Sequence, residues 1–475
     1  MNRIIMDSTI YNTRTALVLD GVLTELLYES NTDKNLVGSI YCGRVIRVLP
    51  GINAAFVEIG EERTAYLQYA DEGEGSFSCS PVKAGDSVIV QVKKSPVGLK
   101  GALLTRKISF AGKFSILIPN DKNIGISKKI VSEKERERIS EIVAPLLPEG
   151  YGIIVRTMGE GKNHDDFKKE IEYLYLKSKG IFEKADYLKP PCLVMSSPSP
   201  ALFAARDIFS DDVDEFIVNN EKDYNDLLNI ADENEAGKIK LYNKSVPVFE
   251  EYFIESQAKK ALDKKVWLKS GGFIVIEETE ALTVIDVNTG KYTGTKDIQK
   301  TFLKTNIEAV YEASKQIRLR NLSGIIIIDF IDMQEEEDRQ LIKKTLMHET
   351  SKDRIKTVVV SMTELNLMQL TRRKTRPSLS SQILIPCPLC AGTGKIYNAQ
   401  YVLGSIYRDI LSLFSNTIYD KVQIYANETI LRWFYGKEDS LKQNLEDMFN
   451  NKEIELIPIK GKKHDYYEIK GIKRQ

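Results

Sequence analysis

Two apolar runs in this 475-residue chain each end in an aspartate: Asp286 in LTVIDVNTG (282–290) and Asp329 in GIIIIDFID (324–332), with one amphipathic helix pattern between them. A strand, a crossover helix and a parallel strand in one sheet bring both strand C-terminal ends to the same edge. That edge is where α/β sheets hold ligands. Two acids fixed there could share one hard cation, and a cation on paired carboxylates usually works on phosphate. Asp286 alone, ahead of Asn288, Thr289 and Gly290, could equally cap a following helix. Asp329 weighs against that, because two strand-end acids on neighbouring strands repel unless a cation, a proton or an arginine lies between them. Asn288 falls two residues beyond Asp286, on the same face of a continuing strand, where it could orient water or a phosphate oxygen. Asp332 is odd-spaced from Asp329 and is read as structural, pointing to the other face.

The elements around this pair follow from turn residues and periodicity. Residues 14–29 (RTALVLDGVLTELLYE) are two β-like runs about Asp20 and Gly21, a hairpin signal. SIYCGRVIRV, AAFVEIG, TAYLQYA and DSVIVQVKK, between about residues 37 and 94, are short strands parted by glycine turns, which suggests a small barrel. A mixed stretch follows: FSILIP, a charged helix (VSEKERERISEIVAPLL) and the strand YGIIVRT, a second small α/β unit. KPPCLVMSSPSP (189–200) reads as a boundary. Residues 201–262 alternate strand and helix signals, ending in a helix over 255–262. The helix between the two aspartates carries Ile298, Phe302, Thr305, Ala309, Ala313 and Ile317 on one face. TVVVSMT (357–363) is expected to be a buried strand, followed by a basic helix and the CPLCAGTGK turn; the last 75 or so residues form a small αβ tail. No internal repeat is visible.

Three further groups of residues could bind or react. Cys387 and Cys390, followed by a glycine-rich turn, are half of a tetrahedral Cys₄ zinc site. The other half is missing from the sequence: Cys42, Cys79 and Cys192 look isolated, and His164, His348 and His464 show no ligand spacing. A redox CxxC remains open, though without the βαβ start expected for one; the economical alternative is a zinc shared by two chains, hence a homodimer. Phe56 and Tyr66, on adjacent barrel strands near Arg44, Arg47, Lys93 and Lys94, could stack bases of single-stranded nucleic acid, or simply pack in a core. Arg156 and Thr157 end a strand before the loop 158–161, where a phosphate could take a forked contact; a surface arginine is the plainer reading. Gly161-Lys162 and Gly394-Lys395 lack the upstream glycine and the Ser or Thr of a P-loop, so an NTPase is excluded.

Composition sets the bounds. The chain is 42% hydrophobic and 28% charged, a globular profile long enough for about three domains. Lysine plus arginine balance aspartate plus glutamate at 67 each, so any nucleic acid must be met by local patches. Candidates are Lys93, Lys94, Lys100, Arg106 and Lys107; Arg372, Arg373, Lys374 and Arg376; and residues 460–463. Five cysteines argue against a disulfide framework, and no apolar run reaches a membrane span or a secretory signal. A cytoplasmic protein is expected.

Taken together the motifs resemble the ribonuclease E/G family along essentially the whole chain: EALTVIDVNTG (280–290), RLRNLSGIIIIDFIDM (318–333), RRKTRPSL (372–379), CPLCAGTG (387–394) and IIVRTMGEGK (153–162). The resemblance implies an Mg²⁺-dependent endoribonuclease that cuts single-stranded, A/U-rich RNA, is stimulated by a 5′-monophosphate, leaves 5′-phosphate and 3′-hydroxyl ends, and serves rRNA and tRNA processing and mRNA decay. Its magnesium aspartates fall on Asp286 and Asp329, with the supporting asparagine on Asn288. Its 5′-end sensor falls on Arg156 and Thr157, with Gly112 and Ile116 beside them. Lys128 stands where relatives carry an arginine and would make a point contact rather than a fork. Its RNA-binding platform falls on Phe56, Tyr66 and Lys100, and its zinc link on Cys387 and Cys390 of two protomers, a homodimer that could pair into a tetramer.

The implied architecture is a multidomain α/β chain. Residues 1–36 and 201–262 would form an RNase H-like unit without catalytic acids of its own. Into it would be inserted an S1-type OB-fold RNA-binding domain (37–106) and a 5′-sensor subdomain (107–200). A DNase I-like catalytic subdomain (263–383), a zinc link (384–397) and a small αβ C-terminal domain (398–475) follow. By the resemblance, a chain that stops soon after that tail sits among the family's shorter members. The rivals are a noncatalytic RNA-binding or ribosome-assembly factor, which has no use for two converging acids, and a DNA endonuclease on the same metal site.

Overall fold

The computed structural model describes residues 1–31, 35–68, 82–96, 100–290, 298–388, 390, 392–435, 446–449, 452–460 and 465–473. They divide into two compact units, Met1–Gln382 and Ile383–Gln475.

The chain opens with a strand that the sequence reading passed over, Arg3–Ser8, whose Ile4, Ile5 and Met6 are fully buried. It pairs antiparallel with Asn12–Leu19, and the expected hairpin returns as Val22–Ser30. Asp20 and Gly21 both take positive φ (49° and 79°), the two-residue turn whose twist matches the flanking strands. On its other side Arg3–Ser8 pairs in parallel with Glu215–Val218, which pairs with Ile239–Leu241, so residues more than 200 positions apart share one sheet.

The four expected barrel strands are present as Ile40–Leu49, Ala54–Glu58, Ala65–Gln68 and Ser87–Lys94. A fifth, Leu103–Thr105, lies between the last two, and Ser87–Lys94 pairs back onto Ile40–Leu49 to close the barrel. Closure leaves no free edge among these five. Val45, Ala55, Val57, Ala65, Leu67, Val90, Val92 and Leu104 fill the inside. The stretch expected to be a boundary is not one throughout: Cys192–Met195 is a strand paired with Ile40–Leu49. That pairing sets Cys192 directly opposite Cys42, so these two thiols are neighbours rather than isolated; Cys79 lies outside the described residues.

A four-stranded sheet follows, ordered Ile124–Ile126, Tyr151–Val155, Ser115–Pro119, Phe110–Ala111, with the helices Glu133–Val143 and His164–Asp186 packed against it. The sheet of the two aspartates runs Lys265–Trp267, Phe273–Glu278, Leu282–Asn288, Gly324–Asp329, Leu367–Arg372, Thr357–Met362. Its connecting helix, Ile298–Leu319, buries Thr305, Ala309, Ala313 and Ile317 as the periodicity predicts, while Ile298 is exposed. Thr357–Met362 is a half-exposed edge strand instead of a buried one, and the segment after it forms the strand Leu367–Arg372, where a basic helix was expected. Pairing with Gly324–Asp329 decides this: alternate residues Met368 and Leu370 enter the core, a period of two that the basic run at its end obscures.

The second unit has a three-stranded sheet, Glu453–Pro458, Lys421–Ala426, Tyr467–Ile472, covered by Ala399–Asn416 and Glu428–Tyr435. Among the described residues no helix is long and apolar enough to cross a membrane.

Candidate active site and RNA-facing surfaces

The strand of Asp286 and the strand of Asp329 pair in parallel with the two acids directly opposite one another. Thr283, Ile285 and Val287 on one strand and Ile326 and Ile328 on the other turn to the helix-covered side, where they meet Ala309, Val310, Ala313 and Ile317. The intervening positions face away from those helices, so Asp286, Asn288 and Asp329 project from the uncovered side at the C-terminal ends of their strands. Burial, then the like charges of Asp286 and Asp332, raise the Asp329 carboxyl above its ordinary range. Asn288 donates its side-chain N–H to Asp286 Oδ2 at 2.7 Å, so it orients the carboxylate itself.

Asp332 lies past the end of its strand, so the alternation used to dismiss it does not apply. Its charge reaches Asp329, while its Oδ1 accepts from Asn366 Nδ2 at 3.0 Å. The turn carrying these acids is pinned from below. Asn306, fully buried in the connecting helix, donates to the Ile331 carbonyl at 2.8 Å and accepts from the Ile331 N–H at 3.1 Å. A buried asparagine inside an apolar helix stripe was the available signal for it. Among the described residues no group of three or more His, Cys, Asp or Glu is arranged to hold a metal; Asp286 and Asp329 are two converging acids. Their convergence is costly without a cation between them, which fits a shared divalent ion.

On the barrel, Phe56 and Tyr66 pair across neighbouring strands and alternate with the buried Ala55, Val57, Ala65 and Leu67. Both rings are therefore on the outer wall, half-buried, with centroids 6.0 Å apart at 67°. The core-packing reading is thereby excluded.

A cleft of about 4330 Å³ in the first unit is lined by Lys100, Gly112, Ile116, Lys128, Arg156 and Thr157 among others. Arg156 donates Nη1–H to the Gly112 carbonyl at 2.7 Å and pairs through Nη2 with Asp207, so part of its fork is already engaged. Burial would raise Asp207, but the Arg156 and Arg206 guanidiniums outweigh it and hold the carboxyl below its usual range. Thr157 Oγ1 shares a 3.0 Å hydrogen bond with Ser127 Oγ. A Cβ at Gly112 would come to 2.5 Å from the Glu170 carboxyl, so that carboxylate, which accepts from the Phe114 N–H and the Ser115 hydroxyl, would have to shift.

Two of the four basic residues at 372–376 are spent on internal pairing. Arg372, 3% exposed, donates Nε–H to Asp353 Oδ2 at 2.7 Å and Nη1–H to Asn321 Oδ1 and the Leu322 carbonyl. Arg376 pairs with Glu29 at 3.1 Å and lies 3.9 Å over the Phe203 ring. Arg373, Lys374, Lys93 and Lys94 also line the cleft. Gly461, Lys462, Lys463 and His464 lie outside the described residues.

In the second unit, Cys387 is exposed and Cys390 partly so. The Gly394 N–H donates to Cys390 Sγ at 3.2 Å, and that bond, with help from the Gly392 N–H and Cys387, lowers the Cys390 thiol below its usual pKa. A turn that favours thiolate is what a zinc ligand needs.

A closed barrel with outward aromatics, a cation-lined cleft and paired strand-end acids define an α/β enzyme built to handle a polyanion. The model of the ribonuclease E/G family matches residues 109–375, which include both acids and the Arg156 strand end. The chain is 34% identical to ribonuclease G of Haemophilus influenzae over 470 residues, 95% of this chain and 96% of that protein. It is 32% identical to ribonuclease G of Escherichia coli K12 over 483 residues, 96% and 99% of the two chains. Against ribonuclease E of the same organism the identity is 33% over 429 residues, 86% of this chain but 40% of that protein. The chain belongs to the ribonuclease E/G family.

Proposed function

We propose that this chain cuts single-stranded RNA internally at the Asp286 and Asp329 pair, with Mg²⁺ as its cofactor. Family membership makes it an endoribonuclease; the substrate, the metal and the residue roles are our reading. The observation that carries it is the register: two carboxylates, directly opposite on parallel strands and facing the uncovered side, with Asp329 held above its ordinary pKa by burial and then by its acidic neighbours. Asp286 and Asp329 would hold Mg²⁺. Bound there, the ion would supply a nucleophilic hydroxide at neutral pH and offset charge on the phosphoryl oxygens. Asn288 fixes the Asp286 carboxylate, and Asn306 fixes the backbone just after Asp329.

In the same reading Phe56, Tyr66 and Lys100 hold the strand being cut, and Arg156 and Thr157, with Gly112, Ile116 and Lys128, take the 5′-monophosphate. An end phosphate must share Arg156 with Asp207, so stimulation by the 5′ end is graded rather than absolute. Matched RNAs with 5′-monophosphate and 5′-hydroxyl ends should be cut at different rates, and equal rates contradict the sensor. The unit and subdomain roles set out from the sequence, the A/U preference and the part in rRNA and tRNA processing and mRNA decay belong to this proposal. So do a homodimer, possibly paired into a tetramer, linked by zinc on Cys387 and Cys390 of each protomer, and a cytoplasmic location. Asp286→Asn or Asp329→Asn should lose most cleavage while RNA binding survives. Wild-type turnover in both variants would overturn the assignment.

A further inference from the structure

The side of the sheet that presents the acids also presents an aromatic and cationic cluster that neither periodicity nor motif singled out. Residues directly opposite across paired strands share a face. Asn288 pairs with Phe273, and Phe273 with Trp267, so these three stand in one cross-strand row. The next row is Asp329, Asp286, Val275 and Lys265. Neighbouring strands lie about 4.8 Å apart, which puts the Phe273 and Trp267 strands roughly 5 and 10 Å from that of Asp286.

Trp267 is 63% exposed, unusual for the largest apolar side chain on a three-residue edge strand. Its ring lies 5.5 Å from that of Phe273 at 65°, and the Lys265 ammonium sits 4.1 Å from the Trp267 centroid and 3.5 Å from that of Phe273. A cation over two rings keeps a positive charge beside an exposed stacking surface. Aromatic faces that take bases and a cation that meets the backbone are the two parts of a single-strand subsite.

We infer that Trp267, Phe273 and Lys265 form a nucleotide subsite beside the acids, which stacks the base of the RNA nucleotide adjoining the scissile phosphate and contacts its backbone through Lys265. The inference rests on the proposed role of Asp286 and Asp329, because their position makes this base the adjoining one. The subsite is separate from the barrel platform: Phe56 and Tyr66 stand on a different sheet. It orients the strand by a contact that any base can make, so it sets where the phosphate lies and leaves base identity to other surfaces.

The test uses the full chain and a short single-stranded RNA with one cut site. Trp267→Ala should lower kcat/KM by about 10- to 100-fold, the range of one lost base stack, and Trp267→Tyr should restore most of it. Truncating so exposed a side chain leaves the core intact. An abasic ribonucleotide on one side of the cut should cost the wild type a similar factor and cost Trp267→Ala little more. In a Trp433→Phe background Trp267 is the sole tryptophan, and its emission should be quenched by the intact RNA but not by the abasic one. Wild-type cleavage by Trp267→Ala, or an abasic penalty that persists undiminished in it, overturns the subsite. A fall in oligomer mass with unchanged cleavage also overturns it, marking a protein contact instead. Repeating the fluorescence titration in Asp329→Asn separates the two claims. Quenching retained with cleavage lost supports both, whereas cleavage retained refutes the acid assignment and leaves the subsite to be judged by the quenching alone.

Discussion

Arg372 separates a structural role from an RNA-binding one most cleanly. Arg372 and Asp353 are 3% and 7% exposed and their charged groups are joined at 2.7 Å, with Asn321 Oδ1 and the Leu322 carbonyl completing the guanidinium shell. Arg372→Met leaves Asp353 buried and unpaired, and breaking such a pair on one side costs about 3–5 kcal/mol. Most of that cost is the stranded charge, so Arg372→Met with Asp353→Leu should recover the larger part of it. The loss should appear locally, since Arg372 ends the strand that pairs with the strand of Asp329. Amide exchange in Gly324–Asp329 and Leu367–Arg372 should report an opening free energy lowered by that amount. RNA affinity against salt provides the second reading. A lost phosphate contact flattens the slope of log K on log salt by about 0.7 for a single strand. At a temperature where the variant is folded, the slope should equal that of the wild type. A flattened slope with unchanged exchange would refute the structural assignment and restore Arg372 to the RNA surface.

Other outcomes follow from the same geometry. Tyr66→Ala and Phe56→Ala should each weaken single-stranded RNA binding by about 1–3 kcal/mol, with Tyr66→Phe close to wild type; unchanged affinity in a direct titration would remove the barrel platform. Without a cation the Asp329 pKa is raised, so a proton competes with Mg²⁺ for that carboxylate: at sub-saturating Mg²⁺ activity should show an acid limb that begins above the ordinary carboxylate range, and added Mg²⁺ should push the limb to lower pH. Asp332→Asn removes one of the charges raising it and should move that acid limb to lower pH; a limb that stays put would refute the coupling. Cys387→Ser with Cys390→Ser should release zinc and shift the mass toward the monomer, whereas an unchanged oligomer and a metal-free wild type would contradict the link.

The parts of this fold that repeat with a fixed period were readable from the sequence. Alternation and glycine turns gave four of the five barrel strands, and the hairpin at Asp20 and Gly21 follows from turn chemistry. The opposition of Asp286 and Asp329 followed from the strand, helix and strand pattern between them. What the sequence hid is tertiary. The run GIIIID reads as buried on both faces, yet helices cover one side only and Ile325 is 51% exposed on the other. Arg372 and Arg376 look like a basic patch until Asp353 and Glu29 are brought to them, the latter from 347 residues away. Leu103–Thr105 and Lys265–Trp267 are too short to carry a period, so the fifth barrel strand and the Trp267 cluster left no pattern to find.

The central claim is that two opposed carboxylates on one sheet cut RNA with a divalent ion. Its most direct measurement is cleavage of a 5′-monophosphorylated single-stranded RNA by the intact protein, with Mg²⁺ and then with a chelator, the product ends being identified. The account predicts internal cuts with Mg²⁺ that leave 5′-phosphate and 3′-hydroxyl ends and cease when the metal is removed. Cleavage undiminished by the chelator, or no cleavage with the metal supplied, would contradict it.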